Sequence, residues 1–425
     1  MSINRPTVID LFAGAGGLSL GLEQAGFESV FVSELNPDAM ETYLKNRDGA
    51  SRFDLRESKR SVGDITTITR DSHALKSVAR SLKKQHGDIT LLVGGPPCQG
   101  YSGIGHRRSF DLAKQEVPGN HLYLDMAAVI STVQPRMFLF ENVRGLLTSR
   151  WSKQGGDKGE IWNDVQAAFR RIGESSGERG YQMHSALIRA KDYGVAQNRP
   201  RILLVGVRDD ISPTIVDTGI ANGFLPFPNG AAPDLVDLLS DLIDPKFEDL
   251  FSHETLIYPN DAMNELQSRL REGAHGRGSG SRKQGQLVTE MQYSRHSERV
   301  KKKFEYMLAN EGRIHSDHQT KKFAQKLLPA IWPASGPSIT ATSLPDDYVH
   351  FSQPRTLTVR EWARLQMFPD WYQFAGKRTT GGQRRAGNPL LNNWDREAPK
   401  YTQIGNAVPV ELGRQLGLHL LALAG

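Results

Sequence analysis

The sequence predicts an α/β protein: a doubly wound parallel sheet carrying a second, smaller domain. Three observations lead there. Short, nearly continuous apolar runs alternate with helical patterns through the first half of the chain, as buried parallel strands and their crossover helices do. Glycines gather where an apolar run meets a helical pattern. After Arg208 the texture changes, and from Ile211 to about Pro354 the chain is rich in Pro, Gly, Asp and Ser, with no repeat and no regular alternation. The expected division is therefore a first unit over 1–210, a second over 211–354, and a return to the first over 355–425.

Six strands are expected, in order: "TVIDLF" (Thr7–Phe12), "SVFVSEL" (Ser29–Leu35), "ITLLVGG" (Ile89–Gly95), "MFLFENV" (Met137–Val143), "YQMHSALI" (Tyr181–Ile188) and "RILLVGV" (Arg201–Val207). Helical patterns at Leu18–Ala25 and Leu122–Val133 lie between them. The second unit holds a glycine- and arginine-rich piece (His275–Gln286) and a basic cluster (Arg299–Lys303). A helical signature, "LTVREWARLQMFP" (Leu357–Pro369), then resumes. The loop Gly376–Lys400 leads to "IGNAVPVELGRQLGLHLLAL", which reads as a strand end, a turn and an amphipathic closing helix.

Composition narrows the function classes. The 425 residues are 38% hydrophobic and 24% charged, as in a soluble globular chain. No apolar run approaches the roughly 20 residues that span a bilayer, and the start lacks a signal-peptide pattern. A single cysteine, Cys98, excludes an intramolecular disulfide and suits a reducing cytoplasm. The net charge of +6 suits an anionic partner such as nucleic acid.

In doubly wound folds ligands meet the carboxyl ends of the strands. The first such end is "DLFAGAGG", where Gly14, Gly16 and Gly17 allow backbone to approach a ligand at a helix amino terminus; the plain alternative is an ordinary tight turn. Glu34 ends the next strand. Its carboxylate can accept from the ribose hydroxyls of a nucleoside cofactor, or it can cap the helix beginning near Pro37. The turn departs from GxGxxG, which favours S-adenosylmethionine over NAD. "GDIT" at Gly63–Thr66 follows a short connection, so Asp64 is expected to accept from an adenine amino group and Ile65 to pack on the ring; the alternative for Asp64 is a helix cap.

"GGPPCQGYS" places Cys98 at the reactive edge, after two stiffening prolines and before a loop with Gly100, Gly103 and Gly105. A lone cysteine is often a small core residue, but a core thiol needs none of this setting, and a nucleophile does. Arg107 and Arg108 can grip phosphate. "ENV" brings Glu141 to the same edge, where a carboxyl group can hydrogen-bond a heterocycle nitrogen. In "QNRPR", Arg199 and Arg201 are spaced to point one way along a strand, suited to a carbonyl and a phosphate.

These pieces together resemble the DNA (cytosine-5)-methyltransferase family of prokaryotic restriction–modification type. "DLFAGAGG", Glu34, "GDI", "GGPPCQGYS", "ENV", "QNRPR", a variable region, "RTLTVREWARLQMFP" and "GNAVPV" follow in family order over nearly the entire chain. The resemblance implies an S-adenosylmethionine-dependent methyltransferase sheet with a target-recognition domain at about Ile211–Pro354. It implies that Phe12, Gly14, Gly16, Gly17, Glu34, Asp64, Ile65, Leu122 and Asn406 bind S-adenosylmethionine, with the closing helix folded back onto the cofactor edge. Cys98 would be the nucleophile, Glu141 the partner of cytosine N3, and Arg199 and Arg201 further catalytic contacts. Gln99, Ser102, Arg107 and Arg108 would touch duplex DNA. No metal is implied. The setting would be cytoplasmic, with a cognate restriction or phage-defence system, and the chain a monomer. Three rival readings carry less: a tRNA cytosine-5 methyltransferase, shorter in the variable region; a catalytically dead DNA-binding regulator; and an NAD-dependent dehydrogenase.

Overall fold

The sheet is built from strands that hide almost everything they carry. β1 (Thr7–Leu11), β2 (Glu28–Ser33) and β4 (Leu91–Gly94) are buried at every position, which is why they read as nearly continuous apolar runs. A computed structural model describes residues 5–49, 53–57, 59–97, 118–151, 156–174, 177–211, 224–249, 253–273, 281–319, 325–333, 336, 347–380 and 397–424. With β3 (Ser61–Val62), β5 (Met137–Val143), β6 (Tyr181–Arg189) and β7 (Pro200–Arg208), the strands form one seven-stranded sheet ordered β3-β2-β1-β4-β5-β7-β6. The short β3 carries too few residues to show as a run in the sequence.

β1 to β5 are parallel, whereas β7 runs antiparallel to both β5 and β6. This corrects the expectation that all the strands share one direction. Only Ala190–Arg199 separates β6 from β7, and a parallel crossover needs a dozen residues or more. β6 is also an edge strand, and it alternates instead of being buried throughout, with Gln182, His184 and Leu187 exposed.

The helices are α1 (Gly17–Ala25), α2 (Pro37–Lys45), α3 (Thr66–Thr69), α4 (Ser72–His86), α5 (Leu122–Val133), α6 (Glu160–Arg170), α7 (Leu235–Leu239), α8 (Glu265–Leu270), α9 (Glu298–Ala309), α10 (Val359–Leu365), α11 (Lys400–Asn406) and α12 (Val410–Ala424). Alternate strand residues feed two cores. Val8, Val93, Leu139 and Val205 join the side of α1 and α12, and Ile9, Leu92, Phe140 and Leu204 join that of α5 and α6. Glycines set how closely α1 and α12 approach: a Cβ on Gly21 would lie 2.3 Å from the Val410 carbonyl, and one on Gly413 2.8 Å from that of Leu18. That contact returns the closing segment to the glycine turn. Its first part is helical, not the strand end expected from sequence. Pro409, which lacks an N–H, separates α11 from α12, and buried Gln403 in α11 accepts from the Thr42 hydroxyl at 2.7 Å.

In the variable region, α7 packs against α8 and against α10, and β8 (Lys326–Leu327) pairs with β9 (Tyr348–Val349). Fully buried ion pairs join this region to the segment beyond it. Asp241 accepts from Arg271 at 2.8 Å and from Arg364 at 3.0 Å; Asp370 accepts from Arg364 at 2.9 Å and from the Tyr258 hydroxyl at 2.7 Å. Two of these bonds, Arg364 to Asp241 and Tyr258 to Asp370, cross the expected boundary at 354/355. The start of α10 is set by a capping box, in which Thr358 and Glu361 exchange side-chain and backbone bonds.

Candidate active site

The strand order reverses between β1 and β4, because the chain winds outward through β2 and β3 and then returns through β4 and β5. A crevice opens at the carboxyl ends of two such strands. Here it is flanked by the glycine turn after β1 and the Gly95–Pro97 segment after β4.

Phe12, Gly14 and Gly16 all adopt left-handed backbone, with φ of 58°, 55° and 78°. The turn is held by the Ala13 N–H to the Ser33 carbonyl at 3.0 Å and by the Gly14 N–H to Glu34 Oε2 at 2.8 Å. The other Glu34 oxygen accepts from the Asn36 N–H at 2.8 Å. Burial raises the Glu34 carboxyl above its ordinary pKa, against the lowering effect of those two N–H groups. Asn36, rather than Glu34, supplies the side-chain cap of α2. A Cβ on Gly14 would meet nothing within 4 Å, so the turn presents open backbone at the start of α1.

Asp64 lies just past β3, at the same edge, and caps its own helical turn by accepting from the Thr66 N–H at 2.9 Å. Ile65, expected to pack on a ring, is 2% exposed and sits in the core beneath the edge. Leu35, which the sequence reading passed over, is 71% exposed beside Glu34. Its place directly after the strand-ending acid was the one mark it carried in the sequence. Leu122 opens α5 and is partly buried, and Asn406 ends α11 exposed. The open glycine backbone, the paired acids and the apolar Leu35 suit a nucleoside-bearing methyl donor.

At β5, Glu141 and Arg201 form an ion pair at 2.5 Å, both side chains being about nine-tenths buried. The antiparallel register makes it. Glu141 faces Leu203, and Arg201, two residues along on the same face, faces Val143. A Cβ on Gly95 would lie 2.9 Å from Glu141 Oε2, and Asn142 Nδ2 donates to the Pro96 carbonyl at 3.1 Å. The chain leading to Cys98 is thus clasped by "ENV" itself; the asparagine's part in this was not read from sequence. Cys98, Gln99, Ser102, Arg107 and Arg108 lie outside the described residues.

Arg199, expected to grip phosphate, is only 4% exposed and donates to the Asn406 carbonyl at 3.2 Å. Arg199 thereby joins the β7 approach to α11. Buried Gln197, from the same "QNRPR", donates to the Leu365 carbonyl at 3.0 Å. Among the described residues no cluster of three or more His, Cys, Asp or Glu could hold a metal, and no helix is long and apolar enough to cross a membrane.

The model of the C-5 cytosine-specific DNA methylases matches residues 6–421. The chain belongs to that family. Among similar proteins, the type II methyltransferase M.DdeI of Desulfomicrobium norvegicum is 29% identical over 423 residues, covering 96% of this chain and 87% of that protein. M1.HphI of Haemophilus parahaemolyticus is 28% identical over 98% of this chain and 87% of its own length. The fold is shared with an Escherichia coli prophage-encoded protein described as a DNA modification methyltransferase, at a TM-score of 0.63 and 22% identity over 98% of this chain and 99% of the other. This family member is thus an enzyme of methyl transfer to cytosine C5, on a methyltransferase sheet.

Proposed function

We propose that this methylase transfers the methyl group of S-adenosylmethionine to C5 of a cytosine flipped out of a specific duplex DNA sequence, in a restriction–modification setting like that of its relatives. The observation that carries this is the Glu141–Arg201 pair at the carboxyl end of β5, pressed against the Gly95–Pro97 approach to Cys98 and across the crevice from the glycine turn.

C5 and C6 of a stacked cytosine cannot be reached from a pocket, so the base is extruded at a cost of a few kcal/mol. The Cys98 thiolate adds to C6, forming a C–S bond and moving the ring's electron pair toward C5. Glu141 hydrogen-bonds N3, where negative charge would otherwise build, and Arg201 fixes the Glu141 carboxylate in place. S-adenosylmethionine, bound at the turn, supplies an electrophilic methyl carbon. The C5 proton then leaves to water, the C–S bond breaks, and the thiolate is regenerated. Phe12, Gly14, Gly16, Gly17, Glu34, Asp64, Leu35 and Asn406 form the cofactor edge, and Arg107 and Arg108 clamp DNA phosphate.

Bisulfite sequencing of DNA from cells expressing the protein is expected to show 5-methylcytosine at one recurring sequence, and the Cys98→Ser variant to show none. An alcohol is a far weaker nucleophile at neutral pH. Methylation persisting in that variant would exclude Cys98 as the nucleophile.

A further inference from the structure

Behind the glycine turn, away from the open backbone at Gly14, lies a buried polar cluster unlike the rest of that core. The Tyr372 hydroxyl donates to the Ala15 carbonyl at 2.6 Å. Arg47 reaches the Gly16 carbonyl through Nη2 at 3.4 Å, the Tyr43 carbonyl through Nη1 at 2.9 Å and the Tyr372 oxygen through Nη1 at 3.3 Å. Its Nε pairs with Glu23 at 2.7 Å, and its guanidinium lies over the Tyr43 ring at 3.7 Å. Tyr372 is 0% exposed and Arg47 4%. A Cβ on Gly16 would lie 3.0 Å from both Arg47 Nη1 and the Tyr372 hydroxyl, so the two side chains close directly on the turn.

We propose that Tyr372 and Arg47 are positioning residues for cofactor binding, holding the Ala15 and Gly16 carbonyls so that the turn keeps its ligand-ready conformation. This rests on the assignment of S-adenosylmethionine to the glycine turn. A buried guanidinium is costly unless its donors are used, and an apolar side chain would fill the same volume at less cost. Here the donors are aimed at backbone carbonyls of a turn in which Phe12, a non-glycine residue, holds left-handed backbone. Tyr372 comes from the far end of the chain, and its own carbonyl accepts from Arg360 of α10 at 2.8 Å. Arg360 and Arg364 sit on one helix, and Arg364 is bonded to Asp241 of the variable region. The support for the cofactor turn is therefore anchored in the core that joins the variable region to the sheet.

The test is calorimetric titration of S-adenosylmethionine, and of its demethylated product, into the full-length protein, well below each variant's unfolding temperature. Tyr372→Phe removes the hydroxyl's bond to the Ala15 carbonyl and its bond from Arg47, and leaves the ring. It is expected to weaken binding of both ligands about five- to tenfold and to raise KM for the cofactor while KM for DNA stays put. Arg47→Lys keeps the charge opposite Glu23, but its one nitrogen cannot span the acceptors that Arg47 reaches from Nε, Nη1 and Nη2; a similar loss is expected, and this variant decides the matter if Tyr372→Phe does not fold. A merely structural role would lower the unfolding temperature and leave cofactor affinity unchanged. Unchanged affinity in both variants overturns the proposal. Glu34→Ala separates the two levels: if it alone weakens binding, the cofactor site stands and the positioning role falls, whereas if it too is silent, the assignment of the turn falls with it.

Discussion

At Gly95 the chain passes so close to Glu141 that a single added methyl would lie 2.9 Å from the carboxylate. The atom it meets is the free end of a side chain, so the fold can accommodate Gly95→Ala by moving Glu141. The expected consequence falls on catalysis: a displacement of a few tenths of an ångström to an ångström at a reacting group costs on the order of ten- to a hundredfold in kcat. Cofactor affinity, measured by calorimetry, and the unfolding midpoint should hardly change. A Gly95→Ala enzyme with wild-type kcat would show that the Glu141 position is not critical. Glu34 teaches a related lesson: both its oxygens already accept backbone N–H groups from the turn and from the start of α2, so one acid both shapes the site and faces the crevice.

At the scale of elements, α10 is organised by charge where its apolar residues alone would not orient it. Glu361 receives a bidentate grip from Arg355 at 2.8 and 2.7 Å. Burial opposes its ionisation, but Arg355 prevails and holds it down at about 2. Buried His350 stands 3.5 Å from the same carboxylate, and burial, with Arg355 adding to it, pushes the histidine down to about 3. The signs follow. His350 binds its proton in the unfolded chain near its ordinary 6.5 and in the folded chain only near 3, so stability falls as pH drops below about 6.5. The contribution of Glu361 is complete above about 4.5 and is lost between there and about 2. Going from pH 7 to pH 5 should therefore cost about 2 kcal/mol from His350 alone. Thermal midpoints across that range will check it, and a flat profile would count against a buried neutral histidine. Asp241→Ala leaves Arg271 and Arg364 buried without their shared partner, and about 3–5 kcal/mol of destabilisation is expected in urea unfolding. A loss under 1 kcal/mol would mean that the arginines find other acceptors.

Over the whole molecule, cytosine chemistry and sequence choice call for different surfaces. Phosphate contacts position a protein on DNA, and base-edge contacts choose the sequence. The sheet edge carries a task common to every target, whereas the loop-rich stretch 211–354 has the adaptable composition that readout uses. Exchanging 211–354 for the matching region of a relative should move the methylated cytosine, as genome-wide bisulfite mapping would record. The buried ion cluster adds a condition. Asp241 and Arg271 would travel with the exchanged piece while Arg364 and Asp370 stay behind. A chimera retaining counterparts of Asp241 and Arg271 should be active with a new site, and one lacking them should unfold at lower temperature. An active chimera that still methylates the parental sequence would place recognition elsewhere, with Gly376–Lys400 as the next candidate.

The sequence by itself determined the class of sheet, the strands β1, β2, β4 and β5, and the order of chemical motifs, because buried parallel strands are mostly apolar and because turns at their ends need glycine, proline and acids at set offsets. It also marked Glu141 and Arg201 as residues of one sheet edge. Only the tertiary structure decided the antiparallel turn of β6 and β7, which follows from a short connection and puts Arg201 on Glu141. It alone decided that Arg199 and Ile65 are enclosed and Leu35 exposed, since burial depends on what packs above a residue and not on its neighbours in sequence. The sequence marks the segment of α10 only as a helical signature and does not show that its arginines are interior. They are interior because Asp241 and Asp370, 123 and 6 residues away from Arg364, arrive in the fold to meet them, and no local pattern encodes a partner that distant.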